Sequence, residues 1–387
     1  MSTSPGRTPG AVTDRTPVVV AGRRTPFGVA GRALAALGPA ALAAPVLAAL
    51  ADDLKPVLAD HPVDDVVLGN CRGPGGDVAR IAALAAGLGT HVPGVTLDRQ
   101  CGSGLEAVRL AAALVAAGEA DVVLAGGTES ASTAPGGPDR RAPFTPDGWP
   151  DPEMGPAAEE CARRLAISRG RQDAYAARSH ALTLAARERG AFDAELVPVG
   201  GLVRDERPRA GLTAAVLARM HPAFGASGGS DGTVTAGNAC GVNDGAAAVA
   251  VVSERVRAAH GLPGLRVLAT AVVGGDPAVP PLAAAPAVRA VLARGGRALD
   301  DVDRLEVTEA FAVQVLACTD ALGLDPLGRD AGRVCPDGGA IAVGHPWSAS
   351  GAFLVLRLLA GPGTRLGVAA CAIGGGQGIA VLLERAG

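Results

Sequence analysis

Two distant stretches of this chain repeat one order of apolar runs and breaks. In the first, an apolar strand-like run leads into Leu97-Asp98-Arg99-Gln100-Cys101-Gly102-Ser103-Gly104-Leu105. An alanine-rich helical run follows, then a strand over 120–125 and the pair Gly126-Gly127. In the second, Gly344-His345-Pro346-Trp347-Ser348-Ala349-Ser350-Gly351 opens a helix over 352–359, and a strand covers 366–370. Then come Ile373-Gly374-Gly375-Gly376-Gln377-Gly378 and a last strand over 379–383. Short apolar runs bounded by glycine read as buried strands, and longer runs of small residues as helices. The shared order predicts a duplicated α/β unit, with Cys101 and His345 at matching turns of the two copies. Halves packed about a pseudo-twofold axis would bring thiol and imidazole together.

The repeat breaks in the middle. A loop rich in Pro, Gly and Asp spans 134–152, and helical patterns follow at 157–165 and 172–188. Arg171-Gln172-Asp173-Ala174-Tyr175-Ala176 opens the second with an acid in its first turn. These features predict a loop domain over 131–231 inserted into a first half made of 16–130 and 232–256. The second half is expected to cover 262–387, and residues 1–15 to form a polar, disordered N-terminus with no signal peptide. The apolar run 33–50 is membrane-like in length but broken by Gly38, Pro39 and Pro45, so it predicts a buried helix.

Composition narrows the function. A chain of 387 residues exceeds the usual single-core size. It is 48% hydrophobic but only 2% aromatic, which suits a large α/β core of small side chains. A net charge of −3 without a basic cluster argues against nucleic acid as a partner. The seven cysteines show neither metal-type pairing nor a secreted disulfide framework, so a reducing cytoplasm and no metal are expected.

Cys101 carries the chemistry. A thiol at a strand-to-helix turn meets unpaired backbone N–H groups and a partial positive charge, which favour the thiolate. With His345 it makes the nucleophile–base pair of covalent acyl transfer. Other blocks stand around these two: Arg23-Arg24-Thr25-Pro26-Phe27-Gly28, Val67-Leu68-Gly69-Asn70, Gly126-Gly127-Thr128-Glu129-Ser130, Met154-Gly155 with Ala158-Glu159, Val234-Thr235-Ala236-Gly237-Asn238-Ala239, Asn243-Asp244-Gly245-Ala246-Ala247, Glu309-Ala310-Phe311-Ala312 and Gly338-Gly339-Ala340-Ile341-Ala342. In this order and spacing the chain resembles the thiolase family over nearly its whole length. The resemblance implies a layered αβαβα fold whose inserted loop domain covers the active site. It implies an acyl-enzyme on Cys101 with His345 as base, and an oxyanion hole from the N–H groups of Cys101 and Gly374. A second hole would use His345 and a water held by the side chain at 308. Coenzyme A thioester is then the substrate, with no resident cofactor, contacted by Met154, Arg209, Phe224, Ala236, Cys240 and Phe311. A homodimer or homotetramer is implied as well.

The chain departs from the family pattern at instructive places. Thr308 stands where the family has asparagine, Cys240 where it has serine, and Glu153 where some members have histidine. Trp347 and Ser348 replace a smaller apolar residue and glycine. Ala372 takes the place of the second catalytic cysteine, and Cys371 lies one residue earlier. One step along a strand reverses the side chain, so Cys371 is expected to point away from the site as an inert thiol. Three functions follow from this. One is an ordinary acetyl-CoA acetyltransferase or 3-ketoacyl-CoA thiolase. Another is a divergent enzyme passing the acyl group to an amine, an alcohol or an activated carbon in a specialised biosynthetic pathway. The last is a weak acyl-CoA-binding or scaffold protein.

Overall fold

The computed structural model describes residues 12–137, 141–224 and 232–387. Of the N-terminus expected to be disordered, residues 1–11 lie outside this set. Arg15 pairs with Asp121, and the Asp14 carbonyl accepts the N–H of Arg255.

Among the described residues ten strands form one sheet: β1 (Pro17–Arg24), β2 (Gly28–Val29), β3 (Asp65–Gly69), β4 (Gly94–Leu97), β5 (Val122–Ser130), β6 (Asn243–Ser253), β7 (Leu265–Gly274), β8 (Arg304–Val307), β9 (Leu366–Ile373) and β10 (Gln377–Arg385). Their order is β4-β3-β5-β6-β1-β7-β10-β9-β8, with β2 beside β6. In the first half β3 runs parallel to β5, and β5, β6 and β1 are successively antiparallel. The second half repeats this: β8 is parallel to β9, and β9, β10 and β7 are successively antiparallel. The halves meet where β1 pairs with β7 through Val18 and Val19 only. The duplication read from the apolar pattern is therefore present strand by strand, with β4 as an extra edge.

The helices are α1 (Pro39–Asp53), α2 (Lys55–Leu58), α3 (Val78–Ala85), α4 (Ser103–Ala117), α5 (Met154–Leu165), α6 (Arg169–Glu188), α7 (Ala214–Leu217), α8 (Glu254–Ala259), α9 (Ala284–Gly295), α10 (Ala312–Leu322), α11 (Ala340–Val343) and α12 (Trp347–Ala360). They sort into three apolar layers. The first packs α1 and α3 on the outer face of the first half-sheet, through Val66, Leu68 and Leu124. The third packs α5, α6, α9 and α10 on the outer face of the second, through Leu305, Val368 and Ala380. Between the half-sheets lie α4 and α12, in contact with Val123 and Val249 on one side and Ala369, Cys371 and Val381 on the other. This is an αβαβα stack. Every residue of β5 and β6 is buried, as expected of strands covered on both faces. Helix α12 is buried without a break from Ser348 to Leu358 because it has a sheet on each side. No helix among the described residues is long and apolar enough to cross a membrane.

Glycine lets the central helices touch. A β carbon on Gly104 would stand 2.4 Å from the Ser348 carbonyl oxygen, and one on Gly351 would stand 2.3 Å from the Leu105 nitrogen. The first turns of α4 and α12 therefore cross backbone to backbone.

Candidate active site

Cys101 sits in a 3-10 turn, Gln100–Gly102, that leads into α4. The turn is held from both sides. Ser103 Oγ accepts the N–H of Arg99 at 2.8 Å and donates to the Gln100 carbonyl at 2.6 Å, while Asp98 accepts the N–H of Gln100 at 2.6 Å. Gln100 adopts φ 48°, a left-handed conformation that costs energy outside glycine. The strain lies next to the thiol, and nothing in the residue type at 100 announces it. On the other side, His345 lies two residues before α12, and its N–H donates to the Gly241 carbonyl at 3.2 Å. Cys101 and His345 thus sit three residues ahead of Gly104 and Ser348, where the two helices cross.

Burial dominates the electrostatics. His345 is 3% exposed, and burial holds it neutral, its pKa pushed down to about 4. Its Nδ1 meets Ser350 Oγ at 2.6 Å, and its Nε2 is buried with no hydrogen-bond partner among the described residues. Burial also drives the Cys101 thiol well above the ordinary thiol range, helped by the nearby Cys371 and Cys240 thiols and the Glu129 carboxylate. The expected stabilisation of the thiolate at the helix start is therefore overcome by desolvation, and the resting pair is thiol and imidazole.

Glu129 anchors the floor. It is buried, and desolvation raises its pKa although Ser348 Oγ donates to it at 2.7 Å and Asn70 Nδ2 at 3.1 Å. The backbone N–H groups of Cys71 and Arg72 and the Cys71 thiol also reach it. Burial pushes the Cys71 thiol well up, and nearby Glu129 and Cys101 add to that rise. The Ser348 that replaces a family glycine is thus a ligand of Glu129. Next to it, Trp347 stacks against the Arg72 guanidinium, 4.9 Å from the ring centroid.

The position of Cys371 corrects the sequence reading. Strand β9 alternates without a register shift against β10. Leu366, Val368, Ala370 and Ala372 face the outer helices. Ala369, Cys371 and Ile373 face α4 and α12, in the layer against which Cys101 packs. Cys371 therefore points toward the site, and Ala372 points away. Its thiol is fully buried and pushed up to about 12, with the Thr308 hydroxyl opposing that rise. Thr308 Oγ1 is itself buried and has no partner of good hydrogen-bond geometry among the described residues. Beyond Ile373, Gly374 lies under the Phe144 ring, which a β carbon would approach to 2.6 Å. Gln377 Oε1 accepts from Arg99 Nη1 at 2.9 Å and ties this loop to the Cys101 turn.

Most of the expected coenzyme contacts converge. Phe224 packs over Gly155, next to Met154, and meets Phe311 edge to face at 6.5 Å. Phe311 bridges to Ala239, beside Cys240. Ala236 and Arg209 stand apart and exposed. Arg209 borders a cavity of about 530 Å³ with His180, Leu184 and Thr213, and its N–H donates to His180 Nδ1 at 3.3 Å.

Residues 17–255 match the family model described as the thiolase N-terminal domain, and residues 263–385 the thiolase C-terminal domain. The chain is 44% identical over 377 residues to "Putative acetyl-CoA C-acetyltransferase YhfS" of Bacillus subtilis, covering 95% of this chain and 98% of the relative. It is 39% identical over 398 residues to "Beta-ketoadipyl-CoA thiolase" of Acinetobacter baylyi, covering 94% and 97%. The crystal structure of the Bacillus anthracis acetyl-CoA acetyltransferase matches with a TM-score of 0.86 at 36% identity, over 96% of this chain and 99% of that one.

Proposed function

The chain belongs to the thiolase family and is a thiolase-type acyltransferase, and we propose that it works by two thiols, Cys101 as acyl carrier and Cys371 as the carbon-acid base. The observation that carries this reading is the inward face of Cys371 on β9, which places it with Cys101 and beside Thr308. The retained face favours carbon–carbon bond chemistry over transfer to an amine or alcohol. It also speaks against a mere scaffold.

With Nδ1–H donated to Ser350, the unpartnered Nε2 keeps its lone pair, the tautomer a base requires. Nε2 takes the Cys101 proton as the sulfur attacks the thioester carbonyl of acetyl-CoA. The N–H groups of Cys101 and Gly374 face the developing oxyanion. Coenzyme A leaves as its thiolate, and the proton on His345 returns to it. Neutral again, His345 takes the proton of the Cys371 thiol, and a second acetyl-CoA loses a methyl proton to the Cys371 thiolate so formed. The resulting carbanion attacks the Cys101 thioester and releases a 3-ketoacyl-CoA, and the Cys101 sulfur takes its proton back from His345. Read backwards, the same steps cleave such a product.

The test is exchange of acetyl-CoA methyl protons with deuterated water, alongside acetyl loading of Cys101 by mass spectrometry. Cys371→Ala is expected to load normally but to exchange about 10²- to 10⁴-fold more slowly. Exchange that survives in Cys371→Ala would remove Cys371 from the mechanism, and a wild type that loads Cys101 but exchanges no methyl protons would leave transfer to another acceptor as the better reading.

A further inference from the structure

We propose that Arg207 selects acyl groups that carry a carboxylate, its guanidinium standing beyond Cys240 to receive the far end of an acyl chain held on Cys101. This rests on the acyl-enzyme reading above and adds a substrate class to it.

The two residues before Arg207 are anchored by their side chains. Asp205 takes two bonds from Arg24, at 2.7 and 2.9 Å, and a third from the Phe27 N–H at 2.8 Å. Glu206 accepts the Val29 N–H at 2.7 Å. The Arg207 side chain then lies flat on Gly241. A β carbon there would stand 1.9 Å from Nη1 and 2.1 Å from Cζ, so only glycine leaves room for the guanidinium. Gly241 is the residue whose carbonyl accepts the His345 N–H, and Cys240 precedes it.

A row of groups follows: Cys240 is within electrostatic reach of Cys101 on one side and of Arg207 on the other. The cation is unanswered. Buried Arg24 holds Glu195 and Asp205, Arg304 holds Glu306 and Asp337, and Arg357 holds Glu195 and Asp337. Arg207 holds no carboxylate among the described residues, and its Nε is buried without a partner. A fork of N–H donors kept partly out of water calls for a planar anion that arrives with the substrate. Arg209, exposed and two residues on, is better placed for the phosphates at the outer end of the coenzyme.

The experiment measures loading of Cys101 from succinyl and glutaryl thioesters against their uncharged partners, butyryl and valeryl, in wild type, Arg207→Ala and Arg207→Lys. Each acyl group is offered both on coenzyme A and on N-acetylcysteamine, which lacks the phosphates. The wild type is expected to favour at least one dicarboxylic acyl group over its partner on both carriers. Arg207→Ala should lower that ratio about 10- to 100-fold, the worth of a charged hydrogen bond, with Arg207→Lys between. A ratio unchanged by Arg207→Ala would overturn the proposal. So would an Arg207 effect seen only with coenzyme A thioesters, which would assign the guanidinium to a phosphate. A wild type that loads from no thioester, acetyl-CoA included, would instead refute the acyl-enzyme itself.

Discussion

Cys101 and His345 are pushed in opposite directions on the pH scale chiefly by removal from water, and both end up uncharged. The thiolate is therefore made during the reaction and is not stored. This has a measurable consequence. Below a raised pKa the reactive thiolate fraction grows about tenfold per pH unit. Alkylation of Cys101 by iodoacetamide, followed by peptide mapping, should be slow at neutral pH and still rising above pH 9. A plateau below pH 8 would mean that the helix terminus or His345 holds the thiolate at rest. Among the seven thiols Cys101 is still expected to react before buried Cys161, Cys318, Cys335 and Cys371. The sharing of Glu129 by Ser348, Asn70 and Cys71 belongs to this scale too, since a buried carboxylate with several donors stays in one place.

Among the elements, the crossing of α4 and α12 sets the reacting pair. Both helices carry glycine where they touch, and the atoms opposite are backbone, which cannot swing aside. Gly104→Ala must push α12 outward and carry His345 with it. The expected outcome is a lower unfolding temperature and acetyl loading of Cys101 slowed by about 10²-fold, because a displacement of ~1 Å is enough to spoil such alignment. Calorimetry and mass spectrometry on the same sample check this; lost stability with unchanged loading would separate the crossing from the chemistry. Behind α12, Arg357 joins Glu195 and Asp337, which continue to Arg24 and Arg304. This buried ion network links β1, α12 and β8 across the two halves.

At the level of the whole molecule, the two ends of the sheet differ. At β8 the backbone of Leu305 is paired outward with Arg333 and Cys335. At β4 no further strand follows among the described residues, and Val95 is 40% exposed with Ile81 and Leu84 of α3 exposed nearby. An open, apolar edge of this kind is a place for association. We expect the protein to sediment as a homodimer paired through β4, and Val95→Asp to shift it toward monomer. A monomeric wild type at micromolar concentration would refute the edge as the contact.

Much of this was legible in the linear chain because it depends on local order. The turns that open helices at Cys101 and His345, the glycine cluster after β9, and the helical runs of α6 and α12 all follow from neighbours in sequence. Alternation along β9 was legible too; which parity faces the central helices was not, because that depends on which side of the sheet α4 and α12 occupy. For that reason Cys371 faces the central layer and not, as residue parity alone suggests, away from it. The protonation of Cys101 and His345 reversed the expectation from the helix terminus because burial is a property of the packed molecule. Contacts such as Arg207 on Gly241 and Ser348 on Glu129 join residues distant in the chain through space that other elements enclose. Local patterning thus determined the elements and the nucleophile, while packing decided which side chains face one another and in what charge state.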